Sequence, residues 1–247
     1  MKTLIIGIGT TGLSILEELE ALYYTSYSDR KEQDQGRLPK HVRLVAIDTD
    51  RREAAAPTTE GSEIKLVNIA YENIQGAIHD LQQHMQGRKP LWLQECERMG
   101  EGSLGRIAQQ TTAGAAHVRA AGRLSLWGKF AGVGGVKQLI QEALNSMTDP
   151  SADPELHVYV VGSLVGGTGS SLFVDLGLLI RVLGGSQLRG LWGVALIPVG
   201  DVDTTQSSGR GKLGNSFAVL RELQFYLDQM GGGREEDDKW PDLTDRR

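Results

Sequence analysis

Gly166, Gly167, Thr168, Gly169, Ser170 and Ser171 stand together within VVGSLVGGTGSSLFVDLG, residues 160–177. Glycine loses more conformational freedom on folding than any other residue and brings no side chain to a core. At this density its use is close backbone approach to a ligand, and amides flanked by hydroxyls suit phosphate oxygens. A second run, Gly7-Ile8-Gly9-Thr10-Thr11-Gly12, spells G-x-G-x-x-G near the start of the chain. That motif usually reads as a dinucleotide site, which wants an acidic residue about 20 positions further on. Asp48 and Asp50 follow a second strand but come much later, after a long polar connection. A mononucleotide polyphosphate held between two loops would instead use both sets of amides and the hydroxyls of Thr168, Ser170 and Ser171. Walker-type binding is excluded: its nearest approach, GRLSLWGKF at 122–130, has a fifth residue between the glycines and Phe130 where a magnesium-binding hydroxyl is required.

Both runs need a strand to deliver them and a helix to receive them. Lys2 to Ile8 is a short apolar run, and Leu13, Ile15, Leu16, Leu19 and Leu22 repeat at helical spacing over 12–24. Residues 25–41 are polar and carry Gly36 and Pro39, which predicts a long connection before a strand at Val42 to Ile47. A weaker strand is expected at Ile64 to Ile69, helices at 71–86 and 137–147, and a loop around Gly100 to Gly105. DPSADPE at 149–155 breaks the chain before a strand at His157 to Val161. A helix over Ser170 to Leu183, a strand over Leu191 to Ile197 and a helix over Leu213 to Met230 complete the pattern. Strands alternating with helices predict an α/β, Rossmann-like, doubly wound and mainly parallel sheet with helices on both faces. Ligands of such sheets bind outside the carboxyl ends of the strands, where both glycine runs fall.

Composition narrows the function classes. The 247 residues are 40% apolar and 23% charged, with a formal net charge of −5, which argues against a broad nucleic-acid surface. The longest apolar region, 172–199, is interrupted by Asp175, Arg181, Gln187 and Arg189, so no transmembrane segment is expected. The start MKTLIIGIG has no secretory h-region and predicts a cytoplasmic chain. Cys96 is the single cysteine and reads as a packing residue, and the five histidines show no metal-ligand spacing. Residues 1–230 are expected to form one nucleotide-binding domain, and glycine-rich, charged 231–247 a flexible acidic tail or the start of a linker.

Four motifs in order resemble the nucleotide-binding domain of the tubulin/FtsZ superfamily, in particular its divergent bacterial tubulin-like members. GGTGSS at 166–171 is similar to the family's signature loop, and GIGTTG at 7–12 to its first nucleotide loop. IDTD at 47–50 resembles the second-strand N-T-D motif, while GAAHVRAAGR at 114–123 places Gly114, Ala115, Gly122 and Arg123 as in the family's G-A-G…G-R segment. Val165, Ser171 and Ala116 depart from family glycines and make the cradle a variant one.

The resemblance implies GTP or GDP with Mg2+, the signature loop on the phosphates and the first loop beneath them. It puts Arg123 in the place of a nucleotide-contacting arginine; read alone, Arg123 is equally a surface salt-bridge residue. Asp201 and Asp203 fall where the family has a ribose-side loop, or else in a solvated loop. Asn215 resembles the asparagine that reads the base edge, and an amide suits guanine's donor and acceptor; as an N-cap it fits nearly as well. The family completes hydrolysis across a subunit interface, with an acidic loop and second domain that residues 1–247 do not include. The implied function is the nucleotide half of a self-assembling, cytoskeletal GTPase. The alternatives are a nucleotide-gated scaffold that recruits a partner protein without filaments and an NAD-dependent oxidoreductase. The last lacks a catalytic pair, since His117 and His157 have no partner that sequence places beside them.

Overall fold

The computed structural model describes residues 1–26, 38–50, 61–70, 94, 115, 118–130, 135–147, 155–197 and 207–231, with side chains of the last helix described over 211–228. Strand β1 (Lys2–Ile8) runs directly into helix α1 (Gly9–Ser26), followed by β2 (Val42–Asp48) and β3 (Lys65–Asn68). Helices α2 (Arg119–Gly128) and α3 (Val136–Met147) precede β4 (Leu156–Ser163), α4 (Gly167–Gly184), β5 (Leu188–Leu196) and α5 (Ser207–Gly231). The five strands form one sheet in the order β3-β2-β1-β4-β5, and every pair is parallel.

Period-two alternation along β1 splits the core. Leu4, Ile6 and Ile8 join Val45 and Ile47 on the face covered by α2, α3 and α4, whereas Ile5 joins Leu44, Ala46 and Val161 on the face covered by Leu16 of α1. The arrangement follows from chain direction. From β1 to β3 the chain travels one way across the sheet, and from β4 to β5 the other, so right-handed crossovers put α1 and α4 on opposite faces. The reversal leaves a switch point between adjacent β1 and β4.

The structure corrects several sequence expectations. Helix α4 begins at Gly167 rather than Ser170, so the signature glycines form its first turn. With the 3-10 turn that follows it, α4 spans 167–187, a stretch long and apolar enough to cross a membrane by length and composition but mostly buried inside the protein. Helix α5 begins at Ser207 rather than Leu213. Helix α2 was not expected at all: Val118 gives it no side-chain cap, and Gly122 lies in its middle. The anticipated helix at 71–86 and the loop at 100–105 lie outside the described residues, as do Cys96 and the 232–247 tail.

Two faces remain apolar and exposed. On edge strand β5, Trp192, Val194 and Leu196 point away from α4, and Trp192 stacks on His157 and Tyr159 of β4 with ring centroids 4.9 Å apart in both pairs. On α5, Phe217, Leu220, Phe225 and Leu227 are exposed.

Candidate functional site

The carboxyl ends of β1 and β4 bring two helix N-termini together. Gly7 and Gly12 allow the first turn: a Cβ on Gly7 would lie 2.6 Å from the Gly12 carbonyl oxygen, and one on Gly12 2.6 Å from the Gly7 carbonyl carbon. Strand and helix backbones therefore touch, which is a packing role. Gly9 has φ of 69°, a conformation that favours glycine, and its Cβ direction faces the Thr168 side chain at 3.4 Å. The two loops thus meet at Gly9 and Thr168. Thr10 and Thr11 project at the exposed start of α1.

The signature segment is held from behind and open in front. A Cβ on Gly169 would collide with the Ser163 carbonyl oxygen, and one on Gly122 with the Ser171 hydroxyl, so these glycines let α4 close on β4 and on α2. A Cβ on Gly166 would meet nothing within 4 Å. Gly166 is the helix N-cap, with no side-chain cap bond, and neither α1 nor α4 carries an acidic residue in its first turn. The first-turn amides of a helix have no acceptor within it, and each N-terminus presents about half a positive charge.

Asp48 stands between the loops. Its carboxylate accepts from Thr10 Oγ1 and Thr168 Oγ1, both at 3.4 Å, and from the backbone amides of Thr49 at 2.6 Å and Asp50 at 3.2 Å. Burial pushes the Asp48 carboxyl above the usual carboxylate range, outweighing the amides that would lower it. Asp50 is partly buried, and its carbonyl accepts from Asn68 Nδ2 at 2.8 Å. Thr49, which sequence reasoning did not single out, is 1% exposed. Its hydroxyl pairs with Thr168 Oγ1 at 2.6 Å and accepts from the Ala115 amide at 3.0 Å, so it fastens β2, the signature turn and the start of the 114–123 segment together. The signal was available, because Thr49 is the middle of the I-D-T-D motif.

Three expectations about side chains change. Ser170 and Ser171 are fully buried, and their hydroxyls donate to the Gly166 and Thr168 carbonyls of their own segment, leaving Thr168 as the hydroxyl of this segment that reaches the end of β2, at Thr49 and Asp48. Arg123 is not on the surface. It is 7% exposed and donates to Glu222 at 2.7 and 3.1 Å and to Asp175 at 3.3 Å. Burial alone would push its guanidinium pKa down; the Asp175 and Glu222 carboxylates outweigh that and keep it charged. Asn215 is not an N-cap, since α5 begins at Ser207; its Nδ2 donates to the Val165 carbonyl at 3.1 Å. Gly114, Ala116, His117, Asp201 and Asp203 lie outside the described residues.

The chemistry on offer is anion binding. Two helix N-termini, a Cβ-free opening at Gly166 and hydroxyls from both loops converge at the switch point of a parallel sheet. The family model described as tubulin like matches residues 4–239 of the chain. No curated protein matches the chain.

Proposed function

The chain belongs to the tubulin-like family, and on that premise we propose that it binds a guanine nucleotide, GTP or GDP, between the loops at 7–12 and 166–171. The observation that carries this reading is the meeting of the two loops at Gly9 and Thr168, beside an α4 N-terminus with no side-chain cap and with open space at Gly166. The phosphates lie on the Gly166 to Gly169 turn, with Gly9, Thr10 and Thr11 beneath them. Asp48 and the Thr10 and Thr168 hydroxyls are the hard oxygen donors that an accompanying Mg2+ would meet. Among the described residues no group of three His, Cys, Asp or Glu side chains could hold a metal ion, and such a cation would take further ligands from phosphate and water. On the same reading the family likeness assigns Asn215 to the base edge and Asp201 and Asp203 to the ribose. The water-activating acid belongs to a neighbouring subunit, and turnover then depends on assembly.

Competition with labelled nucleotides tests the base assignment: GTP and GDP should displace the label well below the concentrations at which ATP or NAD does. Displacement by ATP or NAD at equal or lower concentration overturns it. The exposed apolar faces on β5 and α5 favour association, either with further copies or with a partner protein in a nucleotide-gated scaffold. Sedimentation with GTP against GDP separates the two, because filaments pellet without a partner and a scaffold does not.

A further inference from the structure

Arg119 lies inside the GAAHVRAAGR segment but is not one of its four family-like positions, and its side chain reaches the signature turn from α2. Its Nε donates to the Ser170 carbonyl at 3.0 Å, and its Nη2 donates to Glu222 Oε2 at 2.7 Å. Glu222 lies on α5, and the same helix sends Asn215 to the Val165 carbonyl at 3.1 Å and Ser216 to the Leu164 carbonyl at 3.2 Å. Helix α5 therefore holds segment 164–170 at both ends. The three bonds made to the segment itself, from Arg119, Asn215 and Ser216, all go to its carbonyls, while its Leu164, Val165 and Ser170 amides donate to Leu196, Ser163 Oγ and Gly166.

We propose that Arg119 is a positioning residue that couples anion binding at the signature turn to the seating of α5. The coupling deepens the nucleotide reading above and rests on it. Arg119 and Arg123 lie four residues apart on one face of α2. Arg123 grips Glu222 with both terminal nitrogens and is itself fixed on Asp175, which also accepts from Trp127 Nε1 at 3.0 Å. Glu222 is thereby a preset acceptor for Arg119. When an anion draws the first-turn amides of α4 into place, the Ser170 carbonyl moves with them as part of the same turn, and Arg119 transmits that position to Glu222. Guanidinium geometry is required, because one nitrogen must serve the carbonyl while another serves the carboxylate; the single ammonium of lysine does not span both. By linkage, whatever holds α5 in place tightens the anion site to the same degree.

The test uses the full 247-residue chain with GTP and inorganic tripolyphosphate as probes, calorimetry for affinity, and amide hydrogen exchange over 211–228. Arg119 is only partly buried, so Arg119→Ala and Arg119→Lys should both fold. In the wild type both probes should slow exchange in α5. Arg119→Ala should weaken both probes about 5-fold or more. It should also remove the α5 response at saturation, while the α4 amides stay protected. Arg119→Lys should keep the charge and still lose the α5 response, which a role in stability alone does not predict. Wild-type affinity together with a wild-type α5 response in Arg119→Ala overturns the coupling alone. Failure of the wild type to bind either probe overturns the nucleotide reading, and the coupling falls with it.

Discussion

Thr49 and Thr168, 119 positions apart, share a hydroxyl–hydroxyl hydrogen bond of 2.6 Å that joins the end of the second strand to the signature turn. Either hydroxyl can donate in this bond, and Thr49 also accepts from the Ala115 amide. Removing the Thr49 hydroxyl orphans a buried N–H. Thr49→Val should cost about 1–3 kcal/mol, the range for an unsatisfied buried group. Thr49→Val with Thr168→Val should cost less than the two single changes added, because the shared bond is counted twice. Urea unfolding of the four proteins measures this, and strict additivity would show that the bond carries no energy.

The glycines of the signature turn should separate by role. Gly166 has φ of −74° and ψ of 163°, extended backbone that any residue adopts, with open space at its Cβ. Gly166→Val should stay within about 0.5 kcal/mol of the wild type. It should nevertheless lose more than about tenfold in nucleotide affinity, a step of about 1.4 kcal/mol. Gly169→Ala drives a methyl into the Ser163 carbonyl and should destabilise by about 1–3 kcal/mol, as overpacking does. Thermal unfolding and nucleotide titration of both variants check the split. A Gly166→Val protein that binds normally would place the ligand elsewhere.

Asp48 predicts a pH dependence. Its carboxyl titrates above its ordinary value when folded, chiefly through burial, so the folded chain holds this proton more tightly than the unfolded one. The resulting stabilisation is full below the unfolded value of about 3.9 and is lost as pH rises through the folded pKa. Asp48→Asn removes the buried charge and keeps an acceptor for the Thr49 amide. The variant should be more stable than the wild type at neutral pH, and the advantage should vanish below about pH 4. Urea midpoints from acid to neutral pH decide it, and parallel profiles for the two proteins would sink the assignment.

Arg123 should matter for stability before it matters for binding. Replacing it with alanine strands Asp175, which is 0% exposed, beside Glu222. The expected loss is about 3–5 kcal/mol, as for breaking other buried pairs. Chemical denaturation measures it. A loss of nucleotide affinity with unchanged stability would restore Arg123 to the ligand.

The sheet was legible because its signals are local. Apolar runs of strand length bounded by glycine or proline placed β1, β2 and β4 to within a few residues, and leucine spacing placed α1 and α3. Both loops were legible for the same reason. What escaped depends on contacts distant in sequence. Gly122 breaks the helical pattern of α2 because Ser171 occupies the space its side chain would need. Arg123 looks like a surface residue until Asp175 and Glu222, from two other helices, arrive beside it. The start of α4 was misread because Gly167 and Gly169 have low helix propensity, and close packing on β4 overrides it.

The exposed rings and aliphatics of β5 and α5 have a consequence at the bench. Trp192, Val194 and Leu196 line a sheet edge, and Phe217 and Phe225 are exposed on a separate helix, so copies of this chain should cohere weakly and without register. Such cohesion has no critical concentration, grows with salt and warming, and ignores what occupies the loops. Ordered assembly would set in at a threshold concentration that shifts between GTP and GDP, and turbidity measured at a single concentration would mistake one for the other.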